Sequence, residues 1–486
     1  MFLISLFGQV FYIFLIVFVF LSTLVIITLP TVLYSSRRRF KASKSRRKTF
    51  DVAFFHPYCN AGGGGERVLW HAIEATIHKY PSVKIHLYTG DTNASPKEIL
   101  QKVDKRFGIK LPESINFLYL HKRGWIEASK YPHFTLLGQS LGSIVLAFEA
   151  LDLFVPDVCI DTMGCAFVYP VFSYLAGCKV VSYTHYPTIT SEMMHKVVSR
   201  SGAHNNRDYI ARSPILTAAK LNYYRIFALL YRFAGKFADI IMVNSSWTEN
   251  HINSLWRRPM ITFKVYPPCD TEELQKLPLE RPIDDKIKIV SISQFRPEKN
   301  HHLQMQTMYK LRQFVSEEMW DKLQLVVVGS TRNQEDDAWV QDLKDFAKHL
   351  SIEDNVTFKI NVSYEQLKNE FQEGLIGIHT MWNEHFGIGV VECMAAGLIM
   401  VAHKSGGPLL DIIEESDTSR NGFLAEDDTE YAQAIAIILL MSENVRNRIR
   451  EAARSSSNRF SIEEFKINFL RAVEPVFGIQ DNDYKT

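Results

Sequence analysis

Asp51-Val52-Ala53-Phe54-Phe55-His56, then Pro57-Tyr58-Cys59-Asn60-Ala61, then Gly62-Gly63-Gly64-Gly65, then Glu66-Arg67-Val68-Leu69-Trp70, is the stretch from which the fold can be read. The first six residues have the length and apolar character of a short buried strand. From Glu66 to Tyr80, Val68, Ala72, Ile73 and Ile77 recur near one face of a helix. Strand, glycine turn and helix in this order form the opening of a βα unit. A glycine loop at such a junction exposes backbone N–H groups at a helix N-terminus, whose partial positive charge favours phosphate or another crowded ligand. The run is not a G-x-G-x-x-G, and taken alone it reads equally as a flexible turn.

Outward from this unit the same rhythm continues. Further strands are expected at 83–89, 157–161, 179–183 and 238–243. After the polar, proline-bearing stretch 267–286 the rhythm restarts, with strands expected at 287–293, 323–328, 356–360, 375–379 and 398–402. Strands alternating with helices predict parallel sheets covered by helices, so the expected fold class is α/β with two halves joined near residue 280. Two segments stand apart. Residues 134–155 are strongly apolar but broken by Gly138, Gly142 and Glu149, which predicts a buried or surface-dipping helix rather than a membrane span. Residues 221–237 mix aromatics with Arg225, Arg232 and Lys236. That pattern fits a helix lying in a membrane interface and a core helix with charged edges equally well.

The chain has 486 residues, 47% hydrophobic and 22% charged, which is enough for two or three domains with real cores. A net charge of +2 gives no reason to expect a nucleic-acid partner. Cys59, Cys159, Cys165, Cys178, Cys269 and Cys393 form no C-x-x-C pair, which argues against a zinc site or a disulfide scaffold and suits a reducing compartment. Residues 1–36 carry no charge and are long enough to cross about 30 Å of hydrocarbon as a single transmembrane helix. A cleaved signal peptide would need a positive n-region and a small-residue cleavage site, and neither is present. Arg37, Arg38, Arg39, Lys41, Lys44, Arg46, Arg47 and Lys48 follow at once, in the linker 37–49. Basic flanks stay cytoplasmic, so the body is expected in the cytosol. The linker can be drawn to anionic lipids at about 1 kcal/mol per residue, can simply be solvated, or both. The sequons at Asn93, Asn244, Asn355 and Asn361 then read as chance matches.

Two later motifs carry chemistry. Ser293-Gln294-Phe295-Arg296-Pro297-Glu298-Lys299-Asn300 follows the first strand of the second half, and strand ends are where ligands bind in open α/β sheets. Arg296 and Lys299 there suit a diphosphate clamp, although the pattern is also common on surfaces. The stronger motif is Glu384-His385-Phe386-Gly387-Ile388-Gly389-Val390-Val391-Glu392, continued by Cys393-Met394-Ala395-Ala396-Gly397. A helical interval would place the two carboxylates about 12 Å apart along the axis. A retaining hydrolase needs about 5–5.5 Å and an inverting one about 6.5–9.5 Å, so a hydrolytic pair is disfavoured. The spacing suits two anchors on one elongated ligand, one on a sugar and one on a ribose.

E-x7-E with the basic motif and the glycine loop resembles the retaining glycosyltransferases of the GT-B fold, over residues 50 to about 475. Residues 54–68, Ser182-Tyr183-Thr184-His185-Tyr186-Pro187 and Tyr266-Pro267-Pro268-Cys269-Asp270-Thr271 narrow the resemblance to dolichol-pathway alpha-1,2-mannosyltransferases of asparagine-linked glycosylation. The resemblance implies two Rossmann-like domains facing a cleft: 50–280 for the acceptor and 281–486 for the nucleotide sugar, with the last helix packing back on the first domain. It implies GDP-mannose as donor, and as acceptor a dolichol-diphosphate-linked oligosaccharide that receives its fourth and fifth mannoses. The place would be the cytosolic face of the endoplasmic reticulum membrane, with other mannosyltransferases of the route as partners. Carried over residue by residue, Glu392 would hold the ribose and Glu384 the mannose hydroxyls. Backbone at Phe386, Gly387 and Ile388 would face sugar and phosphates, with Gly63 and Gly64 opposite. Lys299 would neutralise the leaving diphosphate. Relatives carry G-R where this chain has Ser293-Gln294, which leaves Arg296 as the partner arginine. His185 matches a histidine near the reacting carbon, while on its own it reads as a satisfied core residue. No metal and no cofactor are expected. The rival readings are another lipid acceptor, such as a different dolichol-linked intermediate or phosphatidylinositol, and an inactive nucleotide-sugar-binding subunit.

Overall fold

A computed structural model describes residues 28, 30–198, 213–280 and 286–477. Most of the expected anchor, and the end of the chain beyond 477, lie outside the described residues. From residue 30 to 45 the chain is helical, and Phe40 on that helix is buried in the core of the first half.

Among the described residues, thirteen strands form two all-parallel sheets. The first contains β1 Asp51–Phe55, β2 Lys84–Thr89, β3 Asn116–Tyr119, β4 Val158–Asp161, β5 Lys179–Thr184, β6 Ile240–Val243 and β7 Thr262–Lys264, in the order β3-β2-β1-β4-β5-β6-β7. The second contains β8 Ile287–Ile292, β9 Leu323–Gly329, β10 Val356–Ile360, β11 Gly374–His379, β12 Ile399–His403 and β13 Gly422–Ala425, in the order β10-β9-β8-β11-β12-β13. Each sheet starts in its middle, runs out to one edge, then returns to the other side. The direction reverses between β1 and β4 and between β8 and β11, and the crevice outside such a switch point is where open α/β sheets bind ligands. The expected strands are present. Three more, β3, β7 and β13, were not anticipated. They stand at or next to sheet edges and are three or four residues long, too short to show a period.

Parallel strands covered on both faces are buried throughout, which is why β1 reads Asp-Val-Ala-Phe-Phe without alternation. The last helix, Ile462–Phe477, crosses back to the first sheet. Its Phe465, Phe469, Ala472, Val473 and Phe477 join the cluster around Trp70 and Ile73, and Phe477 stacks on Tyr80 at 4.7 Å. Each large apolar side chain so buried is worth roughly 1.5–3 kcal/mol, so this helix adds a second, non-covalent tie between the two halves.

The two ambiguous segments form the helices Thr135–Leu153 and Pro214–Gly235. They touch through Tyr223, whose hydroxyl accepts from the Leu137 N–H at 3.1 Å and whose ring meets Phe134 edge-on. Leu146, Ala147, Ala150 and Leu151 of the first and Tyr224, Phe227 and Tyr231 of the second face the core. Ile226, Leu229, Leu230 and Phe233 form a second apolar stripe on the outer side, as do Phe134 and Leu141 beside them. Thr135–Leu153 is also long and apolar enough to cross a membrane by length and composition. Of the sequon asparagines, Asn244 and Asn355 are buried and hydrogen-bonded inside the fold, which bars a glycan there in the folded chain.

Candidate functional site

The chain leaving β1 turns at His56, which is buried, with Nδ1 2.7 Å from Thr162 Oγ1 and Nε2 3.3 Å from Glu66 Oε1. The other Glu66 oxygen accepts the Gly63 N–H, so the third residue of the helix Gly64–Lys79 caps its own N-terminus. Burial would raise the Glu66 carboxyl, but its bonds from His56 and Gly63 bring it below the ordinary value. The glycines are needed for close approach. A Cβ on Gly64 would come within 3.0 Å of Ile388 Cδ1 in the second half, and one on Gly65 within 3.6 Å of His185 Nε2.

His185 follows β5. Its Nε2 donates to the Thr162 carbonyl at 3.1 Å, and burial, then the neighbouring His56, push its pKa down to about 4. The ring is therefore neutral near pH 7. Its position beside Gly65 supports a place at the cleft, and its backbone bond is also what a core histidine would make.

Across the cleft, β11 ends at His379 and an irregular segment leads to Gly387, whose φ of +114° opens the helix Ile388–Ala396. The two carboxylates are thus not on one helix: Glu384 lies in the loop before it and Glu392 in its second turn. Val390 and Val391 N–H both bond to the Gly387 carbonyl, which leaves the N–H groups of Ile388 and Gly389 at the open end. Phe386 is buried against Tyr266 and Phe460, so what it offers the cleft is backbone. Gly406 and Gly407 wedge the loop. The Gly407 N–H donates to the Glu384 carbonyl at 2.7 Å, and a Cβ on either glycine would lie 2.2 Å from the Glu384 or Phe386 oxygen.

Lys299 ends the short turn Pro297–Lys299 after β8 and places Nζ 2.5 Å from Glu384 Oε2 and 3.2 Å from Met381 Sδ. His379 Nε2 lies 3.1 Å from the same Oε2. Burial works against charge on Glu384, but the Lys299 ammonium and then the His379 bond outweigh it and hold the carboxyl well below the usual carboxylate range. Glu392 Oε1 accepts from Arg67 Nη1 at 2.6 Å, an ion pair between the two halves. Arg296 is not in this cluster; its guanidinium lies 3.7 Å from Glu298.

The walls of the cleft also meet away from the carboxylates. Asp411 accepts from Ser246 Oγ at 2.6 Å, the Ser246 N–H at 2.9 Å and Tyr266 OH at 2.8 Å. The Tyr186 and His385 rings lie 4.2 Å apart. The sequence therefore led to Lys299, Glu384, Glu392, His185 and the glycine loop. It did not lead to Arg67, His379, Gly406-Gly407 or Asp411. The Gly-Gly pair just past β12 was the one local signal among these.

Residues 49–256 match the family model described as ALG11 mannosyltransferase N-terminus, and residues 275–456 match Glycosyl transferases group 1. The chain is 50% identical over 443 residues to a Mus musculus protein named GDP-Man:Man(3)GlcNAc(2)-PP-Dol alpha-1,2-mannosyltransferase, covering 91% of this chain and 90% of that one. It is 49% identical over 446 residues to the Homo sapiens protein of the same name, covering 92% and 91%. Among solved structures, a glycosyltransferase from Rickettsia africae superposes with TM-score 0.59 at 15% identity, over 89% of this chain and all of that one. An Anabaena protein in complex with UDP and glucose gives 0.58 at 14% identity, over 88% of this chain and all of its own. At such identities the structural likeness concerns the fold alone.

Proposed function

This chain belongs to the family of GDP-Man:Man(3)GlcNAc(2)-PP-Dol alpha-1,2-mannosyltransferases, and we propose that it performs its transfer in the cleft between the two sheets. It is a glycosyltransferase of the GT-B architecture. It moves mannose from GDP-mannose, in alpha-1,2 linkage, to the dolichol-diphosphate-linked oligosaccharide. The observation that carries the site is the meeting, at the switch point of the second sheet, of Lys299, Glu384 and the open N-terminus of the helix Ile388–Ala396, with Gly64 closing on Ile388 from the first.

Negative charge grows on the diphosphate as the mannosyl bond breaks. The Lys299 ammonium and the N–H groups of Ile388 and Gly389 are fixed positive partners for it, which favours the transition state over the bound donor. Backbone at Phe386 and Gly387 lines the sugar and phosphates, Glu384 takes mannose hydroxyls, and Glu392 takes the ribose. Gly63 and Gly64 leave room opposite, and the half-buried Arg296 would supply a second cation only by leaving its Glu298 partner. An alpha donor giving an alpha product means retention. In front-face attack the acceptor oxygen bonds the anomeric carbon on the side from which the diphosphate departs, and the acceptor proton passes to the departing phosphate oxygen. No protein base is then required, and neutral His185 serves as a polar neighbour of the reacting carbon. With these fixed positive partners in place, we expect no metal requirement.

We place the division of labour at 50–280 for the acceptor and 281–486 for the donor, and the body on the cytosolic face of the endoplasmic reticulum, with 1–36 as a single-pass anchor. The outer apolar stripe of Pro214–Gly235 supports contact with membrane lipids. The oligosaccharide would receive its fourth and fifth mannoses, with neighbouring mannosyltransferases as partners. The test is the purified full chain given GDP-mannose and a Man(3)GlcNAc(2)-diphospho-lipid. The product should gain one and then two hexoses, both released by an alpha-1,2-specific mannosidase. Transfer only to phosphatidylinositol or another dolichol-linked intermediate, or no turnover by the isolated chain, would overturn this reading.

A further inference from the structure

Glu384 sits on an irregular loop, yet one of its oxygens is held twice. Lys299 Nζ and His379 Nε2 both contact Oε2, at 2.5 and 3.1 Å, and Oε1 accepts no hydrogen bond among the described residues. The two groups that hold Oε2 are themselves locked from behind. His379 is the last residue of β11, in register with Ala402, and its carbonyl accepts from the buried Tyr431 hydroxyl at 2.8 Å. The Thr380 hydroxyl lies 3.0 Å from the carbonyls of both Lys299 and Asn300, and Gln304 Nε2 donates to it at 3.1 Å. His379 and Lys299 are thus tied to each other through Thr380, independently of Glu384.

We propose that His379 is a positioning residue for the transferred sugar: its Nε2–H, with Lys299, pins Oε2 of Glu384, so that Oε1 is presented to the sugar hydroxyls in one orientation. This rests on the reading of Glu384 as the mannose contact. A carboxylate that selects one hydroxyl pattern must be held by groups whose own positions are fixed, and an error of about 1 Å in such a contact costs on the order of a hundredfold in rate. Lys299 cannot do this alone, because its charge is needed at the diphosphate and its single chain leaves the carboxylate free to rotate about the contact. The imidazole supplies the second point.

The test compares His379→Ala and His379→Gln with wild type in the full chain, measuring steady-state kinetics with GDP-mannose and GDP-glucose and the affinity for GDP by calorimetry. His379→Ala is expected to lose about tenfold to a hundredfold in kcat/KM for GDP-mannose. It should narrow the preference over GDP-glucose and leave the GDP Kd within about twofold, since Glu384 is assigned to the sugar, which GDP lacks. His379→Gln, which keeps an N–H donor, should recover much of the loss. A His379→Ala enzyme with unchanged preference, or one whose GDP affinity falls in step with its activity, would overturn the proposal. Glu384→Gln separates the two levels: if it is crippled while His379→Ala is not, this inference alone fails, and if it too is unimpaired, the reading of Glu384 fails.

Discussion

Arg67 and Glu392, 325 positions apart, meet Nη1 to Oε1 at 2.6 Å across the cleft. The guanidinium rides on the helix that the glycine loop opens, and the carboxylate on the helix that Gly387 opens, so the contact joins the two ligand-facing helices of the two sheets. With side chains 22% and 15% exposed, the pair is shielded from water but not sealed from it. If Glu392 grips the ribose, Arg67 sets where it stands. Arg67→Met and Glu392→Gln should each weaken GDP binding, and the double variant should be hardly worse than Glu392→Gln alone, a coupling of about 0.5–3 kcal/mol. Calorimetry with GDP measures it; strictly additive losses would mean that the two residues act separately.

Three imidazoles, His301 buried and His185 and His385 half-buried, set an acid limit on stability. Burial pushes His185 and His385 down to about 4 and His301 to about 3, against an ordinary 6.5. As pH falls below 6.5 the unfolded chain takes up these protons before the folded chain does, so folding stability should decline from about pH 6.5 towards pH 4. Glu384, held below its ordinary 4.5, adds a further loss only under that value. Thermal unfolding at pH 7, 6 and 5 should show a falling midpoint, and His185→Gln should flatten part of the slope. A midpoint unchanged over this range would contradict the assigned burial.

The helix Pro214–Gly235 shows why periodicity alone left its environment open. Tyr224, Phe227 and Tyr231 point inward and Ile226, Leu229 and Phe233 outward, so both faces are apolar and no single stripe stands out. Leu229→Asp with Phe233→Asp should leave the core intact and lower flotation of residues 37–486 with anionic liposomes by severalfold. Reversal of Arg225, Arg232 and Lys236 to Glu should act in the same direction. Unchanged flotation of both would leave this face without a lipid role.

Chelation offers a simple check on the charge balance of the site. With Lys299 and the open N–H groups of the helix Ile388–Ala396 supplying the positive field, EDTA should leave turnover within about twofold. Loss of activity restored by a divalent cation would show that this field is insufficient.

Much of the fold was legible because its decisive signals are local. The apolar run ending at Phe55 with Gly62–Gly65, and the run ending at His379 with the turn at Gly387, each put strand end, turn and helix start within twenty residues, and both lie where the topology reverses. What stayed hidden depends on long-range contact. Arg67 looks like any exposed helix residue until Glu392 arrives beside it. Asp411 shows no purpose until Ser246 and Tyr266 close on it. His379 sits only five residues before Glu384, but a histidine at a strand end has no pattern that says which way its ring turns. The basic motif could not show side-chain placement: Arg296 is near Lys299 in sequence while its side chain lies with Glu298.

The most direct test of the transfer chemistry is steady-state kinetics of Lys299→Ala and Glu392→Ala with GDP-mannose and the lipid-linked acceptor, with circular dichroism as the folding control. Lys299 faces charge that exists fully only in the transition state, so its loss should lower kcat by about 10²–10³ in a folded protein. Glu392 contacts a ribose that is the same in donor and transition state, so its loss should mainly raise KM. Near-normal kcat in folded Lys299→Ala would contradict the assignment of Lys299 to the leaving diphosphate, and Arg296 would then be the group to examine.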